Sequence, residues 1–413
     1  MTTSSSTPIN SQAGKDKDKS KGNIFQDKNL LIVASMTMIA ILPLFSVSPI
    51  LPTIAKGLNI LPSQAGLVMA AYLIPVAIGT PIFGFLADNF GFKKVLIPSL
   101  LLFALGGTLC AFAPSFRSLL EWRILQGIGA APLEALVLSI ISSLYSGKRL
   151  TAAMAVNSVA IGIGSTIYPS LGGILAGISW RYPFVLSLLA VPVALLVLLK
   201  LKLPKREKNT QKLEFGNYVK NIVKSIQNRQ VLAIFLVIIA LFMVQFGGFY
   251  TFTPVMAESK LGASSAVIGI ILTTNAISLT VFSFLIGLFA RKVSEVRLIQ
   301  ISLIIFSIAL CIIPSVNSIP MLVIPCLLVG IVEALAFPSL QGSLAKLAPE
   351  EFRAGFMSVN VTIQSIGRAI GPVFAGIIFG VAGIQGVCYV GVAVIAIAIV
   401  LFSLLINSKS RKA

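Results

Sequence analysis

The chain has 413 residues, of which 56% are hydrophobic and 11% are charged, and its mean hydropathy is +0.97. A soluble globular protein of this length does not have such a composition, so most of the chain is expected to lie in a lipid bilayer. The net charge of +19 would raise the question of nucleic-acid binding in a soluble protein, and the placement of the charges decides that question.

The first 28 residues are rich in Ser, Thr, Lys and Asp and lack the apolar core of a cleaved signal. We therefore expect 1–28 to be a disordered tail and the first hydrophobic segment to remain as an anchor. The chain has no histidine, and its four cysteines lie singly in apolar segments. This pattern predicts no metal site and no cofactor, and it leaves proton chemistry to carboxylates.

Apolar segments of about 20 residues, long enough to cross the hydrocarbon layer, recur along the chain. Their continuous apolar character predicts helices, because barrel strands would alternate. Six segments precede a polar stretch and six follow it, and we number them spans 1–12: near 30–53, 63–87, 94–113, 117–145, 151–177, 181–201, 231–256, 264–290, 296–315, 319–345, 354–380 and 385–406. The predicted fold class is an all-α membrane protein with twelve transmembrane helices.

The basic residues indicate the orientation of these spans. If both ends are cytoplasmic, 26 of the 32 Lys and Arg residues fall on the inner side and four on the outer side, as the positive-inside rule requires. The net charge then reflects topology in the inner membrane of the cell, and no nucleic acid is needed to explain it. Apolar residues at helical spacing within 202–229 predict an amphipathic helix on the inner leaflet, with a soluble linker helix as the alternative.

An internal repeat divides the chain into two halves. Shifting the sequence by 203 residues superposes 127–177 on 330–380 without a gap, with identities such as Met154/Met357, Asn157/Asn360, Gly164/Gly367, Pro169/Pro372 and Gly173/Gly376. We therefore expect two pseudo-symmetric six-helix bundles, 29–201 and 230–406, with 202–229 between them and a short cytoplasmic tail at 407–413. Parallel repeats with a site between them are typical of secondary transporters that rock one half against the other.

A glycine-rich loop joins spans 2 and 3 and contains Gly84, Asp88, Gly91, Lys93 and Lys94. Glycines let two helices turn within a few residues, and an acid beside two lysines can form and break ion pairs. The segment resembles the signature loop of the major facilitator superfamily. That resemblance implies an inner gate, in which the acid and the basic residues help to hold the cytoplasmic side closed.

Other spans carry motifs similar to those of the same superfamily. Span 1 has a proline pair, span 4 has a buried arginine followed by small residues, and spans 5 and 11 have a glycine–proline motif associated with antiporters. These residues are Pro49, Pro52, Arg123, Gly127, Gly164, Pro169, Gly173, Gly367, Gly371 and Pro372. Small residues in span 5 are expected to let spans 5 and 8 approach closely. The resemblance points to the twelve-span drug:proton antiporter branch, and similar sequences also export siderophores and other metabolites.

Two carboxylates lie deep in spans, Glu134 in span 4 and Glu333 in span 10. Arg123 precedes Glu134 by eleven residues, which returns to within about 20° of the same helix face, and Glu333 corresponds to a position on that face in the repeat. We expect both acids to face the central cavity and to carry protons, with purely structural roles as the alternative. A buried arginine is costly, so Arg123 should face a wet cavity or a partner.

Arg368 in span 11 has the same estimated depth as Glu333. Mutual pairing would reduce the cost of burying both charges, so we expect an Arg368–Glu333 ion pair, fixed or functional. Aromatic and amide side chains that face a cavity would hold an amphipathic ligand, and packing between helices is the alternative. The candidates for the substrate cavity are Gln126, Gln245, Phe249, Tyr250, Asn275, Gln341 and Gln364.

These observations favour a monomeric, proton-coupled exporter of small amphipathic compounds. The chain has no GxxxxGK[ST] loop for ATP, and without histidine it cannot assemble the usual catalytic clusters, so an enzyme is disfavoured. An uptake symporter for a polar metabolite remains open because fold does not fix direction. A dedicated siderophore or metabolite exporter also remains open, whereas a membrane sensor or scaffold would need a soluble domain.

Overall fold

The computed structural model describes residues 24–203, 228–289, 293–347 and 353–407. Its structure is 91% helical, and the described residues contain no strand. Most of the predicted disordered tail, the predicted amphipathic helix and the last six residues lie outside the described residues.

Eleven helices in the described ranges are long and apolar enough to cross a membrane. In spans 1, 6 and 7, short 3₁₀ or π segments interrupt the α-helix. The α-helical bounds are Lys28–Val47 with Leu51–Gly57 (span 1), Ala65–Phe90 (span 2), Phe92–Ala111 (span 3), Phe116–Leu144 (span 4), Gly147–Ala176 (span 5), Tyr182–Val185 with Ala190–Leu199 (span 6), Arg229–Val244 with Thr253–Leu261 (span 7), Ser265–Phe289 (span 8), Glu295–Ile312 (span 9), Ile319–Leu347 (span 10) and Arg353–Asn407.

The last helix, Arg353–Asn407, contains two spans. Its 55 residues would extend about 80 Å, more than twice the thickness of the hydrocarbon layer. The backbone leaves the helical region at Gly383, where φ is 62° and ψ is −159°, a conformation that favours glycine. Spans 11 and 12 therefore meet at Gly383, and the described residues contain the twelve spans that the sequence predicts.

The repeat of the sequence is also a repeat of helix contacts. A Cβ atom at Gly269 in span 8 would lie 2.2 Å from the carbonyl oxygen of Pro169 in span 5. The equivalent atom at Gly66 in span 2 would lie 2.4 Å from the carbonyl oxygen of Pro372 in span 11. The 203-residue shift maps Gly66 onto Gly269 and Pro169 onto Pro372, so two related helix crossings join the halves.

We call the side of the membrane where Lys28 and Asn407 lie the terminal face, and the other side the opposite face. Hydrogen bonds between the halves lie at mid-membrane or nearer the opposite face: Lys56–Glu258, Ser48–Tyr250, Thr53–Ser265, Ser170–Thr273, Thr273–Thr166 and Arg368–Glu134. Nearer the terminal face, the described ranges record no hydrogen bond between the halves. The halves are thus joined at the opposite face and in the middle.

Candidate functional site

Arg368 and Glu134 form an ion pair between the two halves. The Arg368 Nη2 and Nη1 atoms donate to the two carboxylate oxygens of Glu134 at 2.9 and 3.2 Å. The two side chains are only 12% and 9% exposed. Arg368 also donates to Ser365 Oγ at 3.0 Å. This bidentate ion pair links span 4 to span 11. Of the hydrogen bonds between the halves named above, it lies closest to the terminal face.

The expected pairing of Arg368 with Glu333 is wrong. In span 11, Gly367 and Gly371 pack on the backbone of span 7, where Cβ atoms would lie 2.9 and 2.3 Å from carbonyl oxygens. Because glycines occupy the side of span 11 that meets span 7, Arg368 points from another side and reaches span 4. Glu333 instead lies inside the C-terminal half, among spans 7, 8 and 10.

Glu333 is surrounded by neutral hydrogen-bonding groups. Gln245 donates its amide to Glu333 Oε1, and Tyr250 Oη lies 3.1 Å from the same oxygen and 2.9 Å from Asn275 Oδ1. The four side chains are each at most 4% exposed. Gln245 Oε1 and Asn275 Nδ2 have no hydrogen-bond partner, and no ion pair to Glu333 is present in the described part of the chain. A buried carboxylate without a cation is stable when it carries a proton or when a cation joins it.

A π-helix at Gln245–Phe252 builds this cluster, and sequence reasoning missed it. Such segments widen a helix by one residue per turn and frequently occur at functional sites. Threonine hydroxyls accompany the widened backbone, because Thr251 donates to the Phe246 carbonyl at 2.6 Å and Thr253 to the Gly248 carbonyl at 3.3 Å. The sequence signal that could have indicated this π-helix is the pair of glycines that precedes the two threonines.

Phe249 does not line a cavity, contrary to the sequence prediction. Its side chain is fully buried, and its ring packs edge-on against Tyr250 at 5.0 Å. Across the boundary between the halves, Phe45 of span 1 packs against the Tyr250 ring at 5.5 Å. Phe242 and Phe337 stack at 5.3 Å between spans 7 and 10. Tyr250 is thus the aromatic residue of the predicted set that reaches the other half.

Arg123 has protein partners in spans 2 and 4 and does not face an open cavity, so it has the second of its two expected surroundings. It is fully buried, donates to the Val68 carbonyl at 3.0 Å and to Gln126 Oε1 at 2.8 Å, and stacks over the Tyr72 ring at 4.5 Å. Eleven residues of helix separate it from Glu134 by about 16 Å. The aromatic face of Tyr72 stabilises the buried cation.

Gln126 also belongs to this pocket and not to the substrate cavity. It is 1% exposed and donates to Ser187 Oγ in span 6 at 2.8 Å. A Cβ atom at Gly106 in span 3 would lie 2.6 Å from the Gln126 backbone. Span 3 therefore packs closely on this side of span 4, and Gln126 faces the interior of the N-terminal half.

Three amides connect spans 10 and 11. Asn360 Nδ2 donates to Gln341 Oε1 at 2.9 Å, and Gln364 Nε2 donates to Asn360 Oδ1 at 3.2 Å. Asn360 is buried, whereas Gln341 and Gln364 are half-buried. Gln364 lies one helical turn from Arg368 toward the terminal face. Of the predicted cavity amides, Gln341 and Gln364 are therefore the most accessible.

The loop predicted as an inner gate lies at the terminal face. Gly91 separates spans 2 and 3, and its φ of 92° is a conformation that favours glycine. Lys93 Nζ donates to the Leu198 carbonyl of span 6 at 3.1 Å, Lys94 is exposed, and Gly84 has open space beside it. The structure describes the backbone of Asp88 but not its side chain, so a gate role for this loop stays a prediction.

The glycine–proline motifs lie at close helix crossings. Gly164 packs against Ile41 of span 1, and a Cβ atom at Gly173 would lie 2.2 Å from the Ser265 carbonyl oxygen of span 8. The carbonyls of Pro169 and Pro372 contact the other half, as described above. Spans 5 and 8 thus approach each other closely.

Two repeated bundles with an ion pair between them at mid-membrane define a multi-pass membrane transporter. The family model of the Major Facilitator Superfamily matches residues 33–262 and 254–413, and the chain belongs to this superfamily. Multidrug resistance protein 2 of Bacillus subtilis (strain 168) is 28% identical over 371 residues, with 87% of this chain and 91% of the relative covered. This relative confirms the resemblance to multidrug exporters.

A second relative is similar over a shorter stretch. The bacillibactin exporter of the same organism is 34% identical over 164 residues, with 38% of this chain and 41% of the relative covered. Among solved structures, a POT family transporter in complex with 5-aminolevulinic acid has a TM-score of 0.76 over 94% of this chain and 98% of that chain. At 15% identity, this likeness supports the fold alone.

Proposed function

We propose that the chain exports small amphipathic compounds across the cell membrane in exchange for protons. The observation that carries this proposal is the ion pair between Glu134 and Arg368, which crosses the boundary between the halves at mid-membrane. A proton on Glu134 removes one charge of the pair and weakens the attraction across that boundary. Proton binding at this position would therefore shift the balance between conformations in which the halves are joined differently.

Glu333 is the second proposed proton site. It has neutral partners and no ion pair in the described ranges, so its charge state is set by burial and by whatever enters the protein near Gln245 and Asn275. The two acids thus have different roles in the proposal. Protonation of Glu134 affects the movement of the halves. Protonation of Glu333 depends on which molecule or ion is bound near Gln245 and Asn275 in the C-terminal half.

Orientation is part of the same proposal. The distribution of Lys and Arg supports a cytoplasmic location for both termini. The terminal face is then cytoplasmic, and the hydrogen bonds between the halves close the outer side. This arrangement corresponds to a monomeric carrier that receives its substrate from the cytoplasm, which is where an exporter begins its cycle.

The relatives support a broad substrate range, because a relative that covers 87% of this chain is named a multidrug resistance protein. The similarity to a bacillibactin exporter supports a second candidate, export of a siderophore or another metabolite. Proton-driven uptake of a polar metabolite would use the same ion pair in the reverse sense. The direction of transport distinguishes uptake from both kinds of export.

The test uses inverted membrane vesicles and a panel of amphipathic compounds. With an acidic vesicle interior, the exporter should accumulate its substrates, and collapse of the pH gradient by an ionophore should abolish accumulation. Vesicles that carry Glu134→Gln are the matched control for a leak or endogenous pumps. Accumulation that is unchanged by the ionophore would rule out proton coupling, and accumulation only in right-side-out vesicles would indicate uptake.

A further inference from the structure

On the terminal-face side of the mid-membrane pair, positions that the repeat relates carry side chains of different chemistry in the two halves. In the C-terminal half, the amides of Gln341, Asn360 and Gln364 form a chain of hydrogen bonds across spans 10 and 11. The 203-residue shift maps Gln341 onto Leu138 and Gln364 onto Ile161. Both of these apolar side chains are exposed, at 39% and 38%. The repeat thus places amides in the C-terminal half at positions where the N-terminal half has branched aliphatic side chains.

Asparagine occupies the equivalent position in both halves, but its side chain makes different hydrogen bonds in each. Asn157 of the N-terminal half accepts a hydrogen bond from Thr37 of span 1 and is 5% exposed. Its counterpart Asn360 is bonded on both sides by Gln341 and Gln364. The bond from Asn157 ties two helices together inside one bundle. The bonds of Asn360 also join two helices of one bundle, and in addition they hold two half-buried glutamines in a row.

The two glutamines keep unused hydrogen-bonding capacity. Gln341 uses its oxygen and Gln364 uses its nitrogen within the row. In the part of the chain that the structure describes, the nitrogen of Gln341 and the oxygen of Gln364 are left for other partners. Amides at membrane depth are costly in lipid, so half-buried amides face water or a polar ligand. Along span 11, Gln364 lies about 6 Å from Arg368 toward the terminal face.

We propose that Gln341, Asn360 and Gln364 form a subsite that recognises uncharged hydrogen-bonding groups of the substrate, such as amides and hydroxyls. Leu138 and Ile161 provide the apolar wall for the rest of the same molecule. This inference rests on the proposed function and adds the substrate class. The free donor and the free acceptor of the row suit a neutral group that carries both, and none of the five side chains of the subsite carries a charge.

The test compares two probes in the inverted vesicles described above. Chloramphenicol is neutral and carries an amide and hydroxyl groups, whereas tetraphenylphosphonium is a lipophilic cation without hydrogen-bonding groups. Gln341→Leu and Gln364→Ile give each position the residue of the other half. Each should reduce initial transport of chloramphenicol roughly fivefold to tenfold, as expected for one or two lost hydrogen bonds, and leave transport of tetraphenylphosphonium unchanged.

Two further sets of variants separate recognition from folding. Gln341→Met and Gln364→Met keep the length of the side chain without hydrogen bonds, and they replace the first pair if that pair does not reach the membrane. Asn157→Ala removes a buried amide from the other half and should not change the ratio of the two transport rates. An equal loss for both probes, or no loss for chloramphenicol, would overturn the subsite.

The wild type distinguishes failure of this inference from failure of the proposed function. Transport of neither probe would contradict the broad exporter from which the inference starts. Transport of tetraphenylphosphonium alone would leave the exporter intact and overturn the amide subsite.

Discussion

Arg368 of span 11 donates two hydrogen bonds, at 2.9 and 3.2 Å, to Glu134 of span 4, so a guanidinium of one half holds a carboxylate of the other. The only covalent link between the halves is the segment 202–229, far from this pair in sequence. Changes at either residue should therefore affect both the energy that joins the halves and the response of transport to protons.

The first prediction concerns coupling. Glu134→Gln mimics the protonated acid, so substrate exchange between the two sides should continue while accumulation driven by a pH gradient falls at least tenfold. The measurement is counterflow beside gradient-driven transport in proteoliposomes. Glu121→Gln is the control, because Glu121 is 55% exposed on the same helix and pairs with the exposed Arg117. Full gradient-driven accumulation by Glu134→Gln would remove this residue from the mechanism.

The second prediction concerns stability. Glu134→Gln leaves Arg368 without its carboxylate at 12% exposure, and the loss of one partner of a buried ion pair costs about 3–5 kcal/mol. The protein should unfold at a lower temperature in detergent, as followed by the loss of monodisperse protein on heating. Glu134→Gln with Arg368→Gln removes both charges and should recover most of that loss. A double variant as unstable as the single one would show that the pair does not stabilise the fold.

The third prediction concerns Glu333. Glutamine at this position retains hydrogen bonds to neutral neighbours and leaves no cation unpaired, so Glu333→Gln should change the free energy of unfolding by about 1 kcal/mol or less. Transport by this variant should lose part of its dependence on pH between acidic and neutral conditions. Thermal unfolding and initial rates across that range provide the two readouts. A loss of stability like that of Glu134→Gln would indicate a cationic partner for Glu333.

The fourth prediction concerns the two related helix crossings. In Gly269→Ala, the added methyl group would lie 2.2 Å from the Pro169 carbonyl oxygen, and such overpacking costs about 1–3 kcal/mol. The variant should favour conformations that are open at the opposite face. A cysteine at Ser48, in a cysteine-free background, should then react faster with a membrane-impermeant maleimide added outside cells.

Gly162→Ala is the matched control for this experiment, since no described atom outside the local backbone of its own helix lies within 4 Å of the added Cβ at Gly162. Gly66→Ala should act as Gly269→Ala does, because the repeat relates the two crossings. Equal labelling of Ser48→Cys in the wild type and in both crossing variants would argue against closure at these glycines.

The fifth prediction concerns orientation. Thr210→Cys and Lys409→Cys should be labelled by an impermeant reagent in inverted vesicles and remain unlabelled in intact cells. Labelling of either position from outside would reverse the assignment of the terminal face to the cytoplasm.

Much of the fold could be predicted from the sequence. Continuous apolar segments of about 20 residues predict helical spans, because the alternative spanning structure, a closed barrel, would show alternating strands. The 203-residue repeat relates Gly66 to Gly269 and Pro169 to Pro372 before any contact is known. The partner of Arg368 could not be predicted in this way. Glu134 and Glu333 both lie deep in spans, and depth along one helix does not say which neighbouring helix its side chain faces.

The residues that surround Arg123 and Glu333 could not be predicted from the sequence either. Helical spacing places Arg123 and Glu134 near one face of span 4, but Tyr72 of span 2 covers that face at the arginine. A helical-wheel projection of span 7 as a regular α-helix predicts the wrong direction for the Tyr250 side chain. The π-helix rotates each later side chain relative to the α-helical pattern. Both errors arise where a neighbouring helix or a local backbone change determines direction.

The crossings at Gly66 and Gly269 are made by main-chain carbonyls and hydrogen atoms, and none of these groups gains or loses a proton in the physiological range. Acidification of the medium outside the cell would therefore leave this part of the closure chemically unchanged. In the proposed orientation and direction of transport, external acid would act on the carrier through its ionisable side chains. A cell in an acidic environment would then keep the barrier between its helices intact while the driving force for proton-coupled export increases.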